Sequence, residues 1–208
     1  WAIVALYVTL QGMREARPQR FLLEMLLTAS AALAAEESCI RLYGFYDCSN
    51  GWWGKVGHVP LLVLCIWPVV IHSATSLGKQ LLTSSRRPTP GIAITAIAAG
   101  FLVLTDAALI EPIAVHAGLW HWTEPGLFHV PPIGIIGWAL FAALCATVFA
   151  TTSRRPAVWS LLVLPATLIG THLLLLAIWW GALRWVNHPV PSTLAAALAV
   201  GLSTVLCA

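Results

Sequence analysis

Charge is scarce in this sequence: 9% of its 208 residues are Asp, Glu, Lys or Arg, while 59% are hydrophobic. So few solvated side chains exclude an ordinary soluble domain. The mean hydropathy of +0.85, with apolar runs near or above the roughly 20 residues that cross a bilayer core, reads as an integral membrane protein. Aspartate is scarcer still, Asp47 and Asp106 alone, which leaves no paired Asp-rich motifs for Mg2+ and diphosphate. Cys39, Cys48, Cys65, Cys145 and Cys207 are odd in number and lack CxxC spacing, so neither a zinc knuckle nor a disulfide framework is indicated. There is no Rossmann fingerprint, no nucleotide-binding loop and no HExxH, so no redox cofactor and no metal is expected. The net charge of +3 comes from basic residues scattered in short loops, not from a stripe that would bind nucleic acid.

What is present is a succession of apolar segments. Residues 1–10 read as the end of a first helix, then come runs at about 21–40, 58–78, 91–110, 132–151, 157–180 and 192–208. The expected fold is therefore all-α: one polytopic transmembrane bundle over residues 1–208 with about seven membrane segments. The short TTSRRP link should make the fifth and sixth helices antiparallel neighbours. Both ends fall inside apolar segments, so the sequence is expected to be cut at both termini. Arg14, Arg17, Arg20, Lys79, Arg86, Arg87, Arg154 and Arg155 lie in loops 11–20, 79–90 and 152–156, whereas Arg41, Lys55 and Arg184 lie on the other side. That bias predicts a cell-membrane protein with the three basic loops cytoplasmic.

The segments 21–78 and 91–151 look like two copies of one helix-loop-helix unit. Glu37 precedes Gly44 by seven residues, as Glu111 precedes Gly118, and an aromatic follows each glycine at plus two, Tyr46 and Trp120. Further on, His58-Val59-Pro60 is matched by His129-Val130-Pro131, and Trp67 and Trp138 each stand nine residues past the histidine. The offset falls from 74 to 71 across the loops, where length changes cost little. Copies pointing the same way through a membrane are normally related by an axis along its normal, with a site between them.

An acid within a membrane helix is expensive and usually faces protein or a cavity, which singles out Asp106 as a catalytic or substrate-orienting group or as a wetted helix-end residue. Glu37 and Glu111 hold equivalent repeat positions, and two acids in one dry site favour keeping a proton between them. They equally suit capping at the helix-loop boundary, for instance with Arg41 or His116. Glu36 competes with Glu37 from about 100° around the helix. His172 is a catalyst or a packing hydrogen bond. His58 and His129 bridge a loop to a helix start, and Glu24 and His72, nearer the opposite face, read as packing or interfacial groups. Of eleven tryptophans, Trp179, Trp180, Trp185, Trp52 and Trp53 suit an interfacial belt. Trp67 and Trp138 lie deeper, and Trp120 and Trp122 bracket His121; their faces suit an apolar groove and a passing positive charge.

The stretches EESCIRLYGFYDCSNGWWGKVGHVPLLVLCIW and LTDAALIEPIAVHAGLWHWTEPGLFHVPPIGIIGW resemble the carotenoid biosynthesis membrane proteins that include the carotenoid 1',2'-hydratases and bisanhydrobacterioruberin hydratase. The likeness covers about residues 21–151. It departs where His58 and His129 replace a glycine before each Val-Pro and where Glu111 stands in place of an aspartate. The resemblance implies cofactor-independent hydration of a terminal isoprenoid double bond of a carotenoid-like lipid. On that basis Asp106 or Glu111 is the acid and Glu37 or His172 orients the water. Trp67, Trp120, Trp138, Tyr46, His58 and His129 line the end-group pocket. The implied partners are an isoprenoid or carotenoid substrate, membrane lipids and a larger membrane complex. Ring closure by a cyclase, and pigment or lipid binding without catalysis, remain the alternatives.

Overall fold

The computed structural model describes residues 1–83 and 91–184, together with Ala197. Six α-helices run through them: α1 (Ala2–Arg14), α2 (Pro18–Tyr43), α3 (Leu61–Thr83), α4 (Ile92–His116), α5 (Pro132–Thr152) and α6 (Val163–Ile178). A 3-10 stretch (Ala157–Leu162) leads into α6 and a π turn (Trp179–Leu183) extends it. The chain is an all-α helical membrane protein, in which α3, α4, α5 and the continuous segment Ala157–Leu183 are each long and apolar enough to cross a membrane. α2, at 26 residues, is long enough but carries Arg20, Glu24, Glu36, Glu37 and Arg41, and α1 has only 13 residues. The expected seventh run at 192–208, Trp185, and the loop residues Arg86 and Arg87 lie outside the described residues, Ala197 apart.

Local chemistry sets the helix ends. Pro18 occupies the first turn of α2, where its missing N–H leaves nothing unpaired, and Gly44 closes it in the left-handed region at φ 60°. The fourth helix is longer than its sequence suggests. α4 continues through Pro112 to His116 instead of ending at residue 110, which carries Glu111 into the bundle. Neighbouring helices shield the gap left by one missing N–H, so a membrane helix tolerates the proline. Pro68 is likewise housed, buried, inside α3.

The loops expected at 41–57 and 111–131 are ordered by backbone pairing. Strand β1 (Tyr46–Cys48) pairs antiparallel with β4 (Trp120–Trp122), Tyr46 opposite Trp122, Asp47 opposite His121 and Cys48 opposite Trp120. Under the 74-residue offset between the two sequence copies, Tyr46 corresponds to Trp120 and Cys48 to Trp122, so this register is symmetric about the Asp47–His121 pair. Thr123 N donates to Phe45 O and Ser49 N to Leu119 O, tying both ends of the ribbon. A second hairpin, β2 (Lys55–Val56) with β3 (Val59–Pro60), turns at Gly57-His58 and delivers the chain into α3.

α4 packs on α5 and α3, α5 on α6, and α2 on both α3 and α6. Small residues, Ala31, Ala32, Ala107 and Ala142, are essentially inaccessible at the contacts and let the helices approach closely. At the end opposite the ribbon, Arg20 donates to the backbone oxygens of Thr152, Ser153 and Arg155. The start of α2 and the link between α5 and α6 therefore meet there, where loops were expected at 11–20 and 152–156.

Candidate functional site

Beneath the β1–β4 ribbon lies a half-open cavity of about 80 Å³, lined almost wholly by apolar and aromatic side chains from α2, α3, α4, α5 and α6 and from the short strands. That exceeds several times over the roughly 10–15 Å³ needed to seat one water. Two carboxyl groups enter it, Glu36 from α2 and Glu111 from α4. Each is gripped by tryptophan. Glu36 Oε1 accepts a hydrogen bond from Trp67 Nε1 at 2.9 Å, and Glu111 Oε2 accepts from Trp120 Nε1 at 2.8 Å and Trp122 Nε1 at 3.0 Å.

These donors are positioned by the fold. Trp120 and Trp122 are alternate residues of one short strand, so both side chains leave the same face of the ribbon and reach the same acid. Gly134 in α5 makes room for the second indole, because a Cβ there would stand 2.5 Å from Trp122 Cζ2. Trp67 and Trp138 meet across the cavity with ring centroids 4.6 Å apart, and Phe141 closes on Trp67 at 4.9 Å. Tyr46 packs against Trp122 with ring centroids 4.7 Å apart, the planes tilted by 41°. The result is an aromatic box around two acids, suited to an apolar chain end and to positive charge developing on it.

A third polar group faces the cavity. Thr171 on α6 is 4% exposed, and its Oγ1 has no hydrogen-bond partner among the described residues. Thr167, one turn earlier, returns its hydroxyl to Val163 O at 2.6 Å. Buried hydroxyls are almost always satisfied by protein, water or ligand, and here the cavity is the space from which a partner comes. Cys48, on the ribbon, is also buried; burial first and the nearby Glu36 second push its thiol up to about 12, which favours the neutral form. Among the described residues no group of three or more His, Cys, Asp or Glu is arranged to hold a metal ion.

Of the residues singled out by sequence, Glu111, Trp67, Trp120, Trp138 and Tyr46 come together on the cavity wall. Four others do not. Glu37 turns outward to the hairpin, where it receives the backbone N–H of His58 at 2.8 Å, His58 Nδ1 at 3.0 Å and Arg41 Nε at 2.6 Å. His58 is thereby a partner of Glu37 and lies outside the lining. Asp106 is exposed on α4; it lies five residues from Glu111, about 140° around the helix, so only one of the two can face inward. His129 is exposed at the tip of its turn.

His172 also stands apart, with both ring nitrogens occupied: Nε2 by Ser38 Oγ at 2.8 Å and Nδ1 by Tyr43 OH at 2.8 Å. It clamps α6 to α2. Sequence reasoning set Glu36 second to Glu37, read Trp122 only as a face suited to an apolar groove, and gave Thr171 no role in the pocket. The signal for Trp122 was present, since WHW places two tryptophans on one face of a strand. Nothing in sequence distinguishes Thr171 from the other threonines of apolar helices.

A family model described as carotenoid biosynthesis protein matches residues 1–202, well beyond the stretch that carries the motif likeness. No curated protein and no solved structure matches the chain.

Proposed function

Because the chain belongs to the carotenoid biosynthesis protein family, and so has a role in making carotenoids, we propose that its cavity adds water to a terminal isoprenoid double bond of a linear carotenoid. The observation that carries this reading is the meeting of Glu36 and Glu111 in one tryptophan-walled cavity, with the unpartnered Thr171 hydroxyl on the same wall.

The reaction begins with an unactivated alkene, which must take a proton to become a tertiary carbocation. One protonated carboxyl of the pair transfers its proton to the less substituted alkene carbon, and the electron pair of the double bond forms the new C–H bond. The indole faces stabilise the cation without offering it a lone pair. A water held by Thr171 and the second carboxyl attacks the tertiary carbon, forming the C–O bond. The proton released from that water passes to the second carboxylate. The pair then carries the same total of protons as before, and transfer between the two acids restores the starting state. No electrons leave the system and no cofactor is consumed.

Glu111 is assigned as the acid because two indole donors fix Oε2 and leave Oε1 as the oxygen that carries the proton, and Glu36 is the partner that receives the proton from water. The role expected for Glu37 thus passes to its neighbour. Asp106, Glu37 and His172 become structural or surface groups, and the enzyme is a hydro-lyase acting in the reverse direction. The basic loops face the cytoplasm by the positive-inside rule, and the aromatic ribbon covers the site at the far side.

Purified protein supplied with a linear carotenoid should yield a product heavier by one water. Glu111→Gln and Glu36→Gln should each lower turnover by about 10²–10⁴-fold, the usual worth of a positioned acid or base. Asp106→Asn should leave it within about twofold. A product of unchanged mass would reassign the site to ring closure, and stoichiometric carotenoid binding without turnover would make the chain a pigment-binding subunit. Full activity in Glu111→Gln would end its role as the acid.

A further inference from the structure

At the opposite end of the bundle lies a second, larger cavity of about 580 Å³, walled by α2, α3, α4 and α5 and by the turn between α1 and α2. Its mouth is polar and its floor apolar. Glu15, Arg17, Arg20, Glu24, His72 and Lys79 ring the opening, and Phe21, Met25, Ile71 and Phe149 lie below. Most of the ring is internally committed. Arg20 is held by Glu24 at 2.8 Å and by the backbone of residues 152, 153 and 155, and His72 sits between Tyr7 OH at 2.8 Å and Glu15 at 3.6 Å.

Two cations remain. The side chains of Arg17 and Lys79 have no ion-pair or hydrogen-bond partner among the described residues, and both are exposed at the cavity mouth. Glu24 is paired with Arg20, and Glu15, 3.6 Å from His72, offsets only one of the two cations. The opening is therefore cationic after its internal pairs are counted, and its depth is apolar. That combination, a basic pocket between membrane helices at their basic end, matches an anionic lipid head with its hydrocarbon descending alongside the protein. A neutral lipid would leave both cations unanswered, and a soluble anion would leave the floor unfilled.

We propose that this cavity binds a phosphate-bearing membrane amphiphile, with the phosphate held by Arg17 and Lys79 and an acyl or isoprenoid chain lying over Phe21, Met25 and Phe149. The site is separate from the aromatic cavity and does not depend on the reaction assigned there. Its contribution is to seat the basic end of the bundle in an anionic leaflet.

The full chain in neutral detergent, titrated with phosphatidylglycerol and with phosphatidylcholine and followed by native mass spectrometry, tests it. Wild type should retain phosphatidylglycerol preferentially. Arg17→Gln with Lys79→Gln should weaken that retention by roughly 30-fold, the worth of two basic residues at an anionic lipid. Both side chains are exposed and unpaired, so the double variant should fold; Lys79→Glu alone offers a second reading and should weaken binding further than Lys79→Gln. Equal retention of the two lipids by wild type, or unchanged phosphatidylglycerol retention in both variants, would overturn the proposal. Displacement of the lipid by millimolar glycerol 3-phosphate would overturn the lipid assignment and make the site one for soluble phosphates.

Discussion

At the scale of single residues, the chemistry turns on direction. Glu36 and Glu37 are adjacent, yet one enters the aromatic cavity while the other makes three hydrogen bonds to Arg41 and the His58 turn. About 100° of helix rotation separates their side chains. Thr171 poses the sharper question, because a hydroxyl buried without a partner is costly, by about 1–3 kcal/mol. If it holds the attacking water, Thr171→Val should slow hydration by about tenfold or more while leaving the melting temperature unchanged or raised, since the valine carries no unpaired polar group. Thr171→Ser should restore the rate. A purely structural threonine would give the opposite pattern, lost stability with intact turnover per folded molecule.

At the scale of elements, the two turns that lead into α3 and α5 solve one problem differently. Val56 pairs with Val59 around Gly57-His58, and Leu127 bridges Val130 around Phe128-His129. In the first turn Gly57 takes φ 61°; in the second Phe128 and His129 take 52° and 65°, a conformation that costs a side-chain-bearing residue about 1 kcal/mol or more. Phe128→Gly should therefore raise thermal stability by about 1 kcal/mol. Gly57→Ala should lower it by at least as much, because a Cβ there would also stand 2.6 Å from Glu37 Oε1. Thermal unfolding in detergent checks both, and equal effects of the same sign would show that backbone conformation is not what separates the two turns. The ribbon between these turns is short, but its pairing aims Trp120 and Trp122 at Glu111.

At the scale of the whole molecule, the two cavities divide the bundle into an aromatic end and a basic polar end. Arg20 is the staple of the second: its guanidinium, steadied by Glu24 on the same helix, joins the start of α2 to the end of α5 and the link to α6 through three backbone oxygens. With its side chain only 13% exposed, Arg20→Ala should cost about 3 kcal/mol, since it leaves Glu24 and those carbonyls without their donor. Arg20→Lys should recover little, because a single ammonium cannot span the fork. A loss under about 0.5 kcal/mol for Arg20→Ala would show that packing alone holds the two segments.

Hydropathy was enough to identify a helical membrane protein, because nothing but a run of apolar side chains can satisfy a bilayer core, and such runs are visible residue by residue. Paired landmarks such as Glu111, Tyr46, Trp120, Trp67 and Trp138 were likewise legible, and the fold gathers all five around one cavity. What the chain order could not decide was which acids share that cavity. Glu36 displaces Glu37, and Asp106 stays outside, because inward and outward are matters of helical phase and of the neighbours each helix packs against. Nor could it decide that α4 runs through Pro112, since the penalty of a missing N–H depends on the helices that shield it. Composition names the solvent and the inventory of reactive groups. Only packing determines which of them meet.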